Sequence, residues 1–566
     1  MIDWVNPAII MILGALVIPF LTGRRRSIFM LLLPIFSLLD LLALGHGEFG
    51  RISVFGQELI MTRIDHLSFI WAIIFHIAAF LAMLYSVHVK DPMQHVAALV
   101  YAGSAIGAVL AGDFITLFIY WEITALSSVF LILARRTERS FRTSMRYLII
   151  QISSGVILLG GVVLWYRHCG SVAFGHVGLE TFGGKLIFLA FGIKCAFPLL
   201  HNWLQDSYPE ATVTGTVVLS AFTTKLAVYT LARGFAGTEQ LIWIGAIMTV
   251  FPIFYAVLEN DLRRVLAYSL NNQLGFMVVG IGIGTELALN GTAAHAFCHI
   301  IYKALLFMSI GAVLYRTGTS KASELGGLYK SMPITAVCCM IGAAAISAVP
   351  LFSGFVSKGM ILAAAASEHH TIVFIVLLFA SAGVVDHSGI KVPFFAFFAH
   401  DSGIRCGEAP KNMLAAMIIC AVLCIGLALP GIYPYFYKLL PFAGVEFHPY
   451  TTAHVITQLQ VLFFAALAFI VLMKKGLYPD EIPAVNLDFD WFYRKPLPAF
   501  ARRALATTFM VKDEFERLAV NVGKHFLEGL FRLLGPASHI ARSQGTSSMV
   551  FWVAVMLLLV LCFYYV

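Results

Sequence analysis

Apolar runs of about twenty residues, separated by short polar turns, recur along the whole chain. A helix needs about 20 apolar residues to cross a bilayer. Such runs fall at about 5–22, 28–45, 68–88, 96–111, 114–134, 147–166, 186–204, 212–233, 241–258, 265–283, 290–315, 333–366, 371–398, 412–430, 453–473 and 548–566. They predict an all-α polytopic membrane protein of about 15–16 transmembrane helices. Two runs are interrupted. The seventh reads IKCAFPLLHNW, with Pro198 inside it, and the twelfth reads ISAVPLFSGFVSK, with Pro350 and Gly354. Proline removes a backbone donor and clashes one turn back, so each helix should break there. Irregular backbone at membrane depth survives only when it is buried in protein or lines a wet cavity. Two broken helices five spans apart, hence in opposite orientation, suggest inverted five-helix repeats, spans 4–8 and 9–13.

The expected organisation is therefore 1–95 as N-terminal transmembrane helices, 96–235 as the first repeat, 236–400 as the second, and 401–475 as C-terminal core helices. Residues 476–547 interleave charges with apolar residues at helical spacing, as in FMVKDEFERLAVNVGKHFLEGLFRLL. That pattern fits a lateral helix on the membrane surface or a small soluble helical segment. Residues 548–566 form a final span.

Composition agrees. Of 566 residues, 60% are hydrophobic and 12% charged, with a mean hydropathy of +0.87. A soluble core could not hide that much apolar surface. The net charge of +8 matters through its placement, not as a nucleic-acid signal. Turns after odd-numbered spans hold Arg24, Arg25, Arg26, Lys90, Arg135, Arg136, Arg139, Arg142, Arg146, Arg263, Arg264, Arg316, Lys321, Lys330, Arg405 and Lys411. The opposite turns hold only Arg51, Arg63, Arg167, Lys185, Arg233 and Lys438. The positive-inside rule then puts the N-terminus outside a cell membrane. The clusters RRTERSFRTSMR and END-LRR read as topology determinants, and Trp121, Trp165 and Tyr166 as interface anchors. Met1 to Thr22 reads as a first span, lacking a basic leader and a cleavage signal. Nine cysteines without a C-x-x-C give no disulfide framework, zinc site or cluster. No glycine-rich nucleotide motif appears. No cofactor is expected, and the chain carries no redox site of its own.

The informative residues are ionisable ones inside spans. Glu122 lies in FIYWEITALSSVF, Lys194 four residues before Pro198, Lys225 in SAFTTKLAVYTLA, and Lys358 after the break in the twelfth span. His295, His299 and Lys303 lie in GTAAHAFCHIIYKALLFMSIG. One Glu and four Lys facing lipid would cost on the order of 12–18 kcal/mol, more than the stability of many domains. They must face each other or water. His295, His299 and Lys303 at i, i+4 and i+8 share one helix face, an arrangement suited to a hydrated relay about 6 Å per step. The two histidines could also hold a metal, but no carboxylate lies beside them in the run. The bland alternatives are static: Glu122 and Lys194 as a buried ion pair, His201, His387 and His400 as hydrogen-bonded core histidines, and Lys185 and Lys391 as snorkelling from span ends.

These residues also carry a resemblance. The stretch from Glu122 through IKCAFPLLHNWLQDSYPEATVTGT, SAFTTKLAVY, LENDLRRVLAYSLNNQLGFM, AHAFCHIIYKALLFMSIGA and SAVPLFSGFVSK resembles the antiporter-like proton-translocating subunits of complex I, membrane-bound hydrogenases and Mrp-type cation/proton antiporters. The likeness covers roughly residues 60–430. It implies about fourteen core helices with broken seventh and twelfth helices. It implies a relay in which Glu122 pairs with Lys194, Lys225 follows, His295, His299 and Lys303 connect, and Lys358 faces an exit half-channel. The segment GIKVPFFAFFAHDSGIRCGEAPKNMLAAM and the tail NLDFDWFYRK look most like the longer form of the D-type subunit of Mrp antiporters. A subunit of a multisubunit sodium or potassium/proton antiporter is thereby implied, with other membrane subunits, protons, monovalent cations and lipid as partners and no nucleic acid. A redox-driven pump arm and a passive membrane scaffold are the rival expectations.

Overall fold

The computed structural model describes residues 5–54, 56–479, 481–482, 486–536, 538 and 545–565. The chain forms two compact units, Met1–Asn486 and Leu487–Val566.

The first unit is a bundle of helices. In chain order they are α1 (Pro7–Ala15), α2 (Gly23–Leu44), α3 (His66–Ser86), α4 (Pro92–Leu110), α5 (Phe114–Leu133), α6 (Glu138–Cys169), α7 (Phe182–Lys194), α8 (Asn202–Ser207), α9 (Val213–Ala221), α10 (Thr223–Gly234), α11 (Glu239–Leu258) and α12 (Leu262–Ile283). Then come α13 (Glu286–Thr317), α14 (Pro333–Ile346), α15 (Ser353–Ser367), α16 (Thr371–Val384), α17 (Lys391–Pro393), α18 (Lys411–Gly426), α19 (Tyr433–Tyr437) and α20 (Thr452–Lys474). Many begin where the sequence supplies a cap. Asp65 and Ser68 close a capping box on α3, and Thr137 and Ser140 one on α6, satisfying amides that the first helical turn leaves free. Among the described residues, eleven helical segments are long and apolar enough to span a membrane. Between α2 and α3, where the hydropathy pattern holds no span, stand two antiparallel strands: β1 (Gly47–Val54) and β2 (Gln57–Ile64), with Gly47 opposite Ile64.

Backbone hydrogen bonds knit the turns into two layers. On the hairpin side Gly112 N donates to Ile60 O (3.0 Å), Val177 N to Gly234 O (2.8 Å) and Gly237 N to Ile281 O (2.9 Å). On the other side Leu262 N donates to Ser320 O (2.9 Å) and Ala322 N to Asn260 O (2.8 Å). The basic turns lie in this second layer but do more than fix topology. Arg139 pairs with Glu210 (2.8 Å) and Arg146 with Asp206 (2.7 Å). Arg263 is fully buried and donates to the carbonyls of Pro209 (2.8 Å) and Ala211 (3.0 Å).

Both expected breaks are present, and they share one backbone. Residues 195–201 and 347–352 separate α7 from α8 and α14 from α15. Ala196 and Ala348 have φ of 61° and 56°, and Leu199 and Leu351 have φ of 70° and 73°. The bonding repeats as well: Ala196 N to Ile193 O and Ala348 N to Ala345 O at 3.1 Å, Phe197 N to Gly192 O and Val349 N to Ala344 O at 3.0 Å. The shared A-x-P-L quartet explains this. Proline ends the helix, and the left-handed residues flanking it turn the chain at a cost of about 1 kcal/mol or more each. The eighth span is also interrupted, at Phe222 (φ −104°, ψ −66°), between α9 and α10.

The second unit contains α21 (Asp490–Arg494), α22 (Pro496–Leu534) and α23 (Thr546–Tyr565). At 39 residues, α22 is about 58 Å long. None of its described residues is buried. α23 is long and apolar enough to cross a membrane.

Candidate functional site

Lys194 is the last residue of α7, at the break, and is fully buried. Its Nζ donates to Trp121 O (2.7 Å) and Thr124 Oγ1 (3.0 Å), and stands 4.1 Å from the Trp121 ring centroid. Trp121 is itself buried and is held by Nε1 donating to Ser154 Oγ (3.2 Å). Trp121 is therefore part of the site and not an interface anchor. The lysine thus grips α5 on either side of Glu122. The carboxylate of Glu122 packs on Gly155 of α6: a Cβ there would lie 1.4 Å from Oε1. That Oε1 is buried and has no hydrogen-bond partner among the described residues.

Lys225 follows the Phe222 interruption and donates to Ser220 O at 2.7 Å. Distorted helices free such carbonyls. On α13, His295 bridges two neighbours, with Nδ1 3.2 Å from Ser357 Oγ on α15 and Nε2 3.1 Å from Gln273 Oε1 on α12. Tyr302 donates to the same Gln273 oxygen (3.1 Å). The His299 ring lies 6.1 Å from His295 and 5.2 Å from Tyr302. Lys303 Nζ has no hydrogen-bond partner among the described residues and sits 5.8 Å from the Phe307 ring. Lys358 donates to Ile346 O at the second break (3.2 Å) and stands 4.9 Å from the Phe276 ring.

Six of the seven candidates are enclosed by the protein. Lys194, Lys225, His295, His299, Lys303 and Lys358 are buried, and Glu122 is half-buried. The segments carrying Lys225 and the histidines are the most enclosed of the bundle, 100% and 94% buried. The structure joins Lys194 to the helix of Glu122, and His295 to the residue before Lys358. It shows no direct bond between Lys194 and Lys225 or between Lys225 and His299. Several buried polar atoms have no hydrogen-bond partner among the described residues: Thr224 Oγ1, both ring nitrogens of His299, Lys303 Nζ, and the amides of Gln151 and Gln205. Each would cost about 1–3 kcal/mol if left unsatisfied, so these groups call for water or a moving partner.

Some expectations fail. Lys391 does not snorkel: it is fully buried and paired with Glu481, because the helix ending at Leu258 offers it carbonyls. Lys185 is exposed, as a snorkelling lysine would be, but His400 is exposed and no core histidine. His387 is buried with Nδ1 2.5 Å from Gly383 O, and His201 lies 4.5 Å from the Phe251 ring. Sequence reading missed Gly155, Gln273 and Ser357. Only Gln273 had a signal, as part of a polar triplet within an apolar run.

Residues 111–384 match the family described as NADH:quinone oxidoreductase/Mrp antiporter, TM. Over that stretch the chain is similar to the antiporter-like superfamily. All seven candidate residues fall inside it. Hydrogenase-4 component B of Escherichia coli is 27% identical over 371 residues, 58% of this chain and 55% of the relative. The D-type subunit of the Na(+)/H(+) antiporter of Alkalihalophilus pseudofirmus is 31% identical over 316 residues, 52% of this chain and 63% of the relative. The chain thus spans between half and two thirds of the length of these two curated relatives. In fold it is similar to a chain of the Mrp complex from Dietzia sp. DQ12-45-1b, with a TM-score of 0.70 and 21% identity over 81% of this chain and 98% of the other. A chain of an archaeal membrane-bound sulfane sulfur reductase gives 0.68 and 21% over 98% and 99%.

Proposed function

We propose that this chain is the proton-translocating subunit of a multisubunit monovalent cation (Na+/K+)/proton antiporter in a cell membrane, N-terminus outside. Protons pass along Glu122, Lys194, Lys225, His295, His299, Lys303 and Lys358. The observation that carries this reading is the enclosure of six of the seven groups, with Glu122 half-buried, although no soluble core requires ionisable groups there. The common backbone of the two breaks supports inverted repeats at 96–235 and 236–400, flanked by 1–95 and 401–475, with 476–547 as a lateral segment and 548–566 as a last span. The similarity to antiporter subunits supports cation exchange with partner subunits in the same membrane.

A second reading, a pump arm driven by a redox module on other subunits, is favoured by two observations. Hydrogenase-4 component B is among the chain's relatives, matching 58% of its length. The fold likeness spanning 98% of the chain is to a respiratory reductase. In everted vesicles, Glu122→Gln or Lys194→Ala should abolish antiport while the complex still assembles; normal antiport in either variant overturns the proposal. Flavin or iron–sulfur absorbance in the isolated complex selects the second reading. Intact transport in the Glu122→Gln/Lys194→Met double variant selects a passive scaffold.

A further inference from the structure

Lys391 lies between two π-helical stretches, Val385–Ile390 and Phe394–Phe398, a distortion often found at functional positions. Four oxygens surround its Nζ: Val257 O at 2.6 Å, Glu481 Oε1 at 2.7 Å, Glu259 O at 2.8 Å and Ala256 O at 3.3 Å. The carbonyls belong to the C-terminal end of α11, where they lack helical partners and carry the negative end of the helix dipole. The carboxylate comes from the stretch after α20 and its side chain is 7% exposed. Neither carboxylate oxygen makes a hydrogen bond among the described residues, and Oε1 meets Lys391 as an ion pair. Glu259 sits beside this group, 3.7 Å from Arg264 and within 3.4 Å of Asn486 Nδ2, and Asp386 lies within electrostatic reach of Lys391.

An alkylammonium has three hydrogens to donate, so it cannot give one to each of four oxygens. A sphere of the same charge can meet all four. Three of the four distances exceed the 2.3–2.6 Å that oxygen cages give calcium. It suits a larger, singly charged ion, and potassium is nearly the size of an ammonium group.

We infer that the oxygens of Ala256, Val257, Glu259 and Glu481 form a binding site for a dehydrated, potassium-sized monovalent cation, in which the Lys391 ammonium is a tethered competitor. When Lys391 gives up its proton and its side chain withdraws, the cation takes its place and the net charge of the cage is unchanged. The proton is given up to water, so occupancy by the cation rises with pH. The site's role rests on the antiport reading and deepens it by naming the cation's place and size. Its existence can be tested without transport.

The test is equilibrium binding of radioactive rubidium to the purified complex. Lys391→Met should bind rubidium saturably, and Lys391→Met/Glu481→Gln should bind it about tenfold more weakly or worse, as loss of a charged ligand implies. In the unmodified complex, should Lys391→Met not fold, rubidium occupancy should rise from pH 7 to pH 9, and Glu481→Gln should weaken it to the same degree. No saturable rubidium binding, equal binding in the single and double variants, or binding of sodium alone overturns the inference. Rubidium binding in a complex without antiport would uphold the site and reject the exchange function; antiport without it would do the reverse.

Discussion

Replacing Gly155 by alanine sets a methyl carbon 1.4 Å from Glu122 Oε1 and 2.6 Å from Cδ. Contact distance is near 3.4 Å, so the carboxylate must retreat by about 2 Å. The intruding atoms belong to the free end of a flexible side chain, so the bundle should survive at about 0.5–1.5 kcal/mol of rotamer strain. At an effective dielectric of 20, two unit charges attract by about 4 kcal/mol at 4 Å and about 3 kcal/mol at 6 Å. A 2 Å shift thus changes the Glu122–Lys194 interaction by about 1 kcal/mol, roughly fivefold in the balance between open and closed pair. Gly155→Ala should lower the initial rate of cation-driven pH recovery in everted vesicles about fivefold at unchanged complex yield. An unchanged rate in Gly155→Ala at normal assembly would refute the idea that the glycine parks the carboxylate.

Trp121→Phe removes the Ser154 bond and weakens the cation–π contact with Lys194, a loss of about 1–2 kcal/mol. Thermal unfolding in detergent should register it, and the pH–rate profile should shift with it; a shift in melting alone would mean the tryptophan only packs. Ala196→Val and Ala348→Val force β-branched residues to positive φ and should each cost about 2 kcal/mol or more, seen as a lower melting temperature and yield. On the hairpin side, burial would raise the Asp65 carboxyl, but Arg233 bonded to it at 2.7 Å, the Ser68 amide and Arg63 outweigh burial and hold it at about 2. The group is lowered, so its stabilisation is complete above the ordinary aspartate range and is lost as pH falls from about 4 through 2. The side chain is 38% exposed, so screening reduces the effect to about 1 kcal/mol. Melting scans between pH 5 and 3 should show this slope in the natural chain and not in Asp65→Asn.

Run length and the cost of charge in lipid are local properties, so the sequence alone determined that the chain crosses a membrane many times. It also located the breaks at Pro198 and Pro350, because a proline disrupts its own helix whatever surrounds it. It picked out Glu122, Lys194, Lys225, His295, His299, Lys303 and Lys358 by type, since such residues are costly in an apolar run wherever the helix is later packed. Which partner each one meets was decided only by tertiary structure. Lys194 grips residues 70 or more positions earlier, Lys391 meets carbonyls more than 130 positions away, and Gly155 matters only because α6 lies against Glu122. The Arg263 clamp and the hairpin's hold on Asp113 (Ile60 N to Oδ2, 2.8 Å) are of the same kind. Hydropathy fixes how deep a residue lies; the facing of one helix toward another depends on the packing of every side chain between them, and no local pattern encodes it.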